Sequence, residues 1–528
     1  MIPHRTGLFR CLLVAVPGLA LCAQAPEGWN RREELGSGLP PGAAWYGAGL
    51  WTADRHGPPA PLVDSLGMGN GYVGSGISAE AGADLGRWSF AIQGLADTDA
   101  QGRSHFTVMR SHARYHSGGW TAGFEQEPLV WGYGLTGGYL LGESARPVPK
   151  LRLETPYWHL SLGKWSLGEW GFQWFTGRLE NGRSIPAASQ MPLSIASDMA
   201  LNGDPQSPFF SGWRTQARSR DGKVEFYLNW TVLWGGNRDG VPMTRGYSLG
   251  EYLTAITGTK DALAEGGVDF NDPNHPQPTL VNGAASSTNF DVGMRFRADW
   301  LARATSSEKA WIYVSRGSKG VLLQWKVLAR RPIHYLGKEI DGTWRSVKGL
   351  SASAVWNRKD SYVAPNLIAP NDTIGILLEW PGVRFGLEHH DTSNPPGISY
   401  RSFVNSVYPS GFYAYGDPLG EALGGEANTT VAKVELDLGS RLSSSTWVFV
   451  GIRPFRDAPE LWNAAHPSLS PANDAFQGLQ QDLAWKVAPA ATLRAGASWT
   501  RHSAVGWVPG AAGNGFRYFA ELAYRWSR

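Results

Sequence analysis

The chain predicts an all-β fold, a transmembrane antiparallel β-barrel of about 18 strands with a short N-terminal periplasmic segment. Three observations point there. Segments of about ten residues, the length of a tilted membrane strand, alternate apolar with polar residues, and their polar face carries charge. The composition is rich in turn and aromatic residues, with 66 Gly, 25 Trp, 18 Tyr and 20 Phe against 18% charged residues. Beyond the N-terminus no uninterrupted apolar run is long enough for a membrane helix, so any insertion must be by strands.

The N-terminus reads as a secretory signal over residues 1–25. His4, Arg5 and Arg10 precede an apolar run from Cys11 to Cys22, and Ala23, Gln24 and Ala25 form a small-x-small cleavage pattern. Leu21 stands where a lipoprotein site wants a small residue, which disfavours lipidation of Cys22. Both cysteines lie in this segment, so the exported chain is expected to lack disulfides and thiolate metal sites. The 48 Lys and Arg and 45 Asp and Glu give a net charge of +3 and are mixed along the chain. That pattern leaves no basic footprint for nucleic acid. Residues 26–70 carry Pro40, Pro41, Pro58, Pro59 and Pro61 without clean alternation, and are assigned to a periplasmic segment or plug lead-in. Residues 71–528 are assigned to the barrel and its long extracellular loops.

The clearest strands follow. Phe290, Val292, Met294, Phe296, Ala298 and Trp300 alternate with Asp291, Gly293, Arg295, Arg297 and Asp299. A slip of one residue would put the four charges into lipid, so the register is strongly specified. Val224 to Trp234 alternates in the same way directly after an Asp221-Gly222 hairpin turn. Ala432, Val434, Leu436 and Leu438 alternate with Lys433, Glu435 and Asp437, and Phe516 to Trp526 closes the chain with aromatic residues on one face. Asp291, Arg295, Arg297, Asp299, Lys433, Glu435 and Asp437 are therefore the expected lumen-facing charges, because unpaired charges between two dry sheets would cost several kcal/mol each. Weaker alternation marks further segments, among them 88–95, 169–178, 374–380, 383–388, 447–455, 481–487 and 493–501. Short turns such as Pro381-Gly382 and Pro489-Ala490 contrast with insertions near 180–208, 236–285, 393–427 and 456–474. Short turns at one end and long loops at the other are the asymmetry of outer-membrane barrels.

A series of strings resembles the capsule assembly protein Wzi family. Leu140 to Lys150 reads L-L-G-E-S-A-R-P-V-P-K, followed by Gly163-Lys164-Trp165 and Phe172-Gln173-Trp174-Phe175. Next come Gly212-Trp213-Arg214, the strand from Lys223 to Trp234, Gly235-Gly236, and Gly250-Glu251. Asn289 to Arg297 and the aromatic and glycine-rich stretch from Tyr408 to Gly420 complete the series. The resemblance implies an outer-membrane barrel with a helical periplasmic element, whose extracellular loops help hold capsular polysaccharide to the cell surface.

Within the 393–427 insertion, Tyr400, Phe403, Tyr408, Phe412, Tyr413 and Tyr415 stand near Arg401 and Asp417. Aromatic faces stack on the C–H faces of sugar rings, and neighbouring polar groups orient hydroxyls. Tyr400, Arg401, Tyr408, Phe412, Tyr413, Tyr415 and Asp417 are thus candidate polysaccharide-binding residues. The same rings could equally pack a long loop into the barrel mouth. Glu388-His389-His390-Asp391 is the densest run of catalytic residue types, but adjacent strand residues face opposite ways, which suits a structural role at a strand rim. Asp269, Asn271 and Asp272 lack a full calcium-loop pattern. Arg146-Pro147-Val148-Pro149 reads either as a rigid hinge that drops a loop into the lumen or as a strand lead-in.

No hydrolase motif, cofactor or metal site emerges. The leading expectation is a non-enzymatic outer-membrane protein, exported by a cleavable signal, that binds capsular or extracellular polysaccharide and assists its assembly and attachment. Its expected partners are that polymer, outer-membrane lipids and the polysaccharide export machinery. A sugar-permeable porin is the first alternative and an outer-membrane hydrolase the second.

Overall fold

A strand in hydrocarbon can satisfy its backbone N–H and C=O groups only against other strands, so a membrane-spanning sheet must close on itself. The computed structural model describes residues 43–56, 74–98, 104–142, 145–163, 165–183, 205–238, 286–318, 371–392, 427–455 and 459–527. It also describes shorter stretches at 241–242, 268–269, 279–280, 320–327, 333–335, 338–340, 343–346, 361–368, 413–414 and 417–419. The proposed signal lies outside these residues.

One sheet holds 19 strand segments. Lys150–Glu154 and Trp158–Leu162 both pair with the same next strand and share one wall position, so the wall has 18 strands. In chain order these are β1 (Ala44–His56), β2 (Gly74–Asp84), β3 (Trp88–Thr98), β4 (Ser104–Ser117), β5 (Trp120–Gln126) and the broken β6. Then follow β7 (Trp165–Arg178), β8 (Phe209–Arg218), β9 (Val224–Trp234), β10 (Ser286–Arg297), β11 (Lys309–Ser318) and β12 (Asn371–Trp380). The last six are β13 (Val383–Asp391), β14 (Asn428–Leu438), β15 (Leu442–Arg453), β16 (Asp474–Ala488), β17 (Ala491–His502) and β18 (Gly513–Ser527). Each pairs antiparallel with its neighbours in sequence, and β18 pairs with β1 from Phe516↔His56 to Ser527↔Trp45, which closes the ring.

The start of β1, the end of β18 and the short turns share one end of the barrel, the periplasmic end in outer-membrane proteins. The turn between β8 and β9 shows why it is tight: Asp221 accepts hydrogen bonds from the Ser219 hydroxyl (2.6 Å) and the Lys223 N–H (3.2 Å), and Gly222 takes φ +64°. The long connections, including one at 319–370 that the sequence reading did not single out, lie at the other end.

The outer face is apolar and exposed: Leu50 is 61% accessible, and Ile77, Ile92, Phe124, Leu479, Leu483 and Leu522 are exposed likewise. Rings gather near the short-turn end of this belt, with Tyr46 stacked on Trp526 (5.0 Å), Trp88 against Tyr115 (5.0 Å) and Trp120 against Trp158 (5.6 Å). Such a girdle suits the membrane interface, where an aromatic body is covered and its polar edge stays wet.

Two sequence assignments change. Residues 44–56, placed in the periplasmic segment, are the first wall strand. Trp45, Gly47, Gly49, Trp51 and Ala53 are buried inward while Tyr46 and Leu50 are exposed outward. Its alternation is masked because small residues stand at both inward and outward positions, and residues 57–70 lie outside the described residues. The strand predicted to reach Trp300 ends at Arg297, and Asp299–Thr305 forms a helix, α1, in the turn to β11. Asp299 is therefore not on the lumen-facing strand. It sits in the first turn of α1, where a carboxylate suits the helix dipole, and bonds Lys223 (2.9 Å) and Arg297 (2.8 Å). The Lys223 hydrogen bond holds its carboxyl below the usual carboxylate range.

An outward position near the middle of the belt should refuse charge. Leu479→Arg should destabilise the inserted barrel by about 2–4 kcal/mol, whereas Gln477→Arg, nearer the loop end, should cost about 0–1. Urea titration of both variants in lipid vesicles checks this, and equal effects would contradict the assignment of this face to lipid.

Candidate functional site

β5 is short, and after Gln126 the chain leaves the wall and returns only at Lys150. Residues 127–149 form a strap that crosses the lumen. Its two roots are held by buried ions. Glu125 meets Arg114 (2.6 Å), Lys150 (3.4 Å) and Arg152 (3.5 Å), and Glu127 meets Arg110 (2.6 Å) and His112 (3.1 Å). Lys150 also donates to the Glu127 carbonyl, joining the entry of the strap to its exit. Buried charges are stable only when paired in this way.

From its roots the strap reaches the opposite wall. On the near side the Trp131 indole donates to Gln173 on β7 (2.9 Å), and the Asn229 amide on β9 donates to the Trp131 carbonyl (3.4 Å). On the far side Glu388 of β13, 1% accessible, accepts from the Leu135 N–H (2.8 Å), the Tyr313 hydroxyl (2.6 Å), the Thr136 hydroxyl (3.3 Å) and the His390 ring. A buried carboxylate aimed at a strap amide is a clamp. Two wall glycines make room beside it. A Cβ on Gly317 of β11 would lie 2.1 Å from the Tyr139 ring, and one on Gly386 of β13 would lie 2.5 Å from Leu135. Leu135 packs with Tyr313, Leu377, Val431 and Trp447, while Trp131, Leu140 and Leu141 pack with Phe175 and Phe210.

Among the candidate polysaccharide residues, Tyr400, Arg401, Tyr408, Phe412 and Tyr415 lie outside the described residues. Tyr413 and Asp417 belong to a small hairpin in which Tyr413 pairs with Pro418 and Ala414 with Asp417. This hairpin sits on the strap: Ala414 and Leu419 are buried with Leu140 and Leu141, and the Gly142 N–H donates to the Leu419 carbonyl (2.7 Å). The described part of the aromatic insertion, residues 413–414 and 417–419, thus rests on the strap.

The expected lumen charges find partners mainly across strands. Asp291 is buried and accepts from Tyr227 (3.0 Å) and Asn229 (3.4 Å). Arg295 pairs with Glu225 (2.7 Å) and lies 4.7 Å over the Tyr133 ring of the strap. Arg297 bonds Asp299 as above. Lys433 pairs with Glu435 (2.6 Å) and lies 4.2 Å over Trp447, and Arg384 bonds Glu435 from β13. Asp437 is exposed near the short turn at Gly439.

His389 and His390 face opposite ways. His389 bonds Thr430 (3.0 Å), whereas His390 joins Glu388 and Thr373 (3.1 Å) inside the barrel. Among the described residues no cluster of His, Cys, Asp and Glu could hold a metal. Arg146 to Pro149 form the return of the strap into β6, with Arg146 donating to the Val108 carbonyl (2.7 Å). The sequence reading did not find Leu135 and Thr136 as partners of Glu388, since nothing local links residues 253 and 252 positions apart. At the long-loop end Asp474 ties down the 503–512 connection through His502 (2.8 Å) and the Ala504 N–H (3.1 Å), and Phe455 meets both Trp462 and Trp507 at 5.8 Å.

Removing the clamp should free the strap while leaving the wall intact. Glu388→Ala leaves the Leu135 N–H and the Tyr313 hydroxyl without this acceptor, at about 1–3 kcal/mol for each buried group. Amide exchange at 130–142 should rise well above that of β16 and β17 in the variant. A uniform rise, or none, would show that Glu388 does not hold the strap.

No curated protein matches the chain. Among solved structures, the chain is similar to Wzi of Escherichia coli, described as an outer membrane protein involved in group 1 capsule assembly and a carbohydrate-binding β-barrel. The TM-score is 0.54 at 16% identity, over 90% of this chain and 83% of that one. Pseudomonas aeruginosa OpdQ gives a TM-score of 0.45 at 9% identity over 92% and 97% of the two chains. OccK1 (OpdK) of the same organism gives 0.44 at 8% over 92% and 99%. Residues 69–305, from before β2 to the end of α1, match the family model described as capsule assembly protein Wzi, and this span holds every string of the resemblance except the stretch from Tyr408 to Gly420.

Proposed function

We propose that this protein holds surface polysaccharide at the extracellular mouth of an outer-membrane barrel, and so assists capsule or exopolysaccharide assembly and attachment without catalysis. The observation that carries the reading is the strap: a segment clamped across the lumen by Glu388, with the hairpin of the aromatic insertion seated on it. A lumen barred in this way is built for retention outside the cell rather than passage through the wall. The match over residues 69–305 to the Wzi capsule assembly family supports the same reading, as does the carbohydrate binding described for the E. coli protein.

The roles follow from the chemistry of the parts. Tyr400, Tyr408, Phe412, Tyr413 and Tyr415 supply faces for sugar rings, and Arg401 and Asp417 supply hydrogen bonds to hydroxyls. The apolar belt meets outer-membrane lipids. Residues 1–25 direct export and are then removed, and the polysaccharide export machinery delivers the polymer. The strap opposes the porin reading. The hydrolase reading loses its densest cluster, because His390 is engaged by Glu388 and His389 faces away from it.

Deletion of the gene should release polymer into the medium from cells that otherwise keep it attached; unchanged attachment would overturn the proposal. Combined Tyr408→Ala, Phe412→Ala and Tyr415→Ala should weaken polymer binding by about 0.5–1.5 kcal/mol per ring. Binding of purified variants on a glycan array reads this, with heat-modifiable migration as the check that the barrel is intact. Wild-type binding by the folded triple variant would place the sugar site elsewhere.

A further inference from the structure

The residues under α1 belong to the outside of the wall. Tyr313 points inward to Glu388, so its neighbours Ala310 and Ile312 point outward. Leu377 packs in the lumen, so Leu378 also points outward. Ala298 and Ala302 of the α1 region cluster with Ala310 and Leu378, with Phe296 and Ile312 packed against them. The helix therefore lies against the lipid-facing surface rather than beneath the lumen. It covers that surface locally, since Ala310 is fully buried and Leu378 nearly so, although both stand in the row that is exposed elsewhere.

The position along the barrel axis is equally defined. α1 joins β10 to β11 at the short-turn end, the level at which the girdle runs. From β16 through β18 and β1 to β6 the wall itself provides exposed rings at that level: Tyr46, Trp88, Trp120, Trp158, Trp485 and Trp526. In the sector from β8 to β11 the outward residues there are Ala217, Val224, Phe226, Phe296, Ile312 and Ala310, with no Trp or Tyr among them. α1 stands in this gap and carries Trp300, 60% accessible, beside the exposed Arg303. The Trp380 indole, on the next strand, donates to the Thr305 carbonyl (3.3 Å) and fixes the far end of the helix to the wall.

We propose that α1 is an in-plane lipid anchor that extends the periplasmic girdle into this sector, with Trp300 in the headgroup layer of the inner leaflet and Arg303 at the lipid phosphates. The partner is a phospholipid surface. An interfacial helix gains from covered apolar area together with basic side chains that meet anionic headgroups, and an amphipathic indole favours that depth.

The test uses the full chain with Cys11 and Cys22 replaced by Ser, a single cysteine in place of Trp300, and an environment-sensitive fluorophore on it, reconstituted in phosphatidylglycerol and phosphatidylethanolamine vesicles. Arg220→Cys in the β8–β9 turn and Leu483→Cys in the belt are the references. Nitroxide on the lipid near the headgroup should quench the label at 300 several-fold more strongly than the label at 220, while a nitroxide deep in the acyl chain should favour 483. Quenching at 300 by aqueous iodide to the same extent as at 220, with no response to lipid nitroxide, would place α1 in the periplasm and overturn the proposal. Heat-modifiable migration confirms that each labelled barrel is folded, and Arg303→Cys provides a second reporter on the same helix.

Discussion

The structure depends on one constraint: in hydrocarbon, no strand can leave its backbone groups unpaired. Eighteen strands satisfy it only because the last, β18, finds the first, β1, along its whole length. This explains why a segment with little visible alternation is recruited into the wall. β1 contributes Trp45 and Trp51 inward and Tyr46 and Leu50 outward, and Gly47 and Gly49 sit where the Glu80 and Ser78 side chains approach within 2.7 and 2.5 Å of a Cβ position. Closure also sorts the chemistry, since the wall turns a largely apolar face to lipid and most of its charged residues to the interior, among inward aromatic and aliphatic side chains.

That sorting creates the problem that the strap solves. Carboxylates and guanidinium groups turned inward need partners, and most find them across the ladder, as Arg295 does with Glu225 and Arg494 with Glu521. Glu388 takes hydrogen bonds from the wall at Tyr313 and His390, and also from the Leu135 N–H of the strap. The strap in turn must satisfy its own backbone away from water, and Asn229 and Glu388 supply part of what it lacks while Gln173 takes the Trp131 indole. Wall and strap thus complete one another, and Ala414 and Leu419 pack on the strap that both hold.

Much of the wall was legible in the sequence because the period of two is unmistakable where both faces carry strong residues. The Asp291 to Arg297 set and the Lys433 to Asp437 set are such cases. The pattern failed where a face was made of small residues, as in β1, and where alternation continued by coincidence past the end of a strand, as at Asp299 and Trp300. Neither error could be seen locally. An Asp opening a helix and an Asp on a strand look the same in a period-two reading, and only the packing of Ala302 on Leu378 distinguishes them. The strap was half legible: the prolines at 147 and 149 suggested a hinge, but its clamp joins residues far apart in sequence. The proposed sugar site rests on residue chemistry, with only the strand pair Tyr413–Ala414 and Asp417–Pro418 of its insertion among the described residues.

The central claim is that a lipid-spanning wall encloses a lumen barred by its own strap. Single-channel recording of the wild-type protein in planar bilayers tests it most directly. The account predicts a silent membrane after insertion, with no stepwise current at moderate voltage. Regular, sugar-blockable conductance steps from the unmodified protein would contradict it.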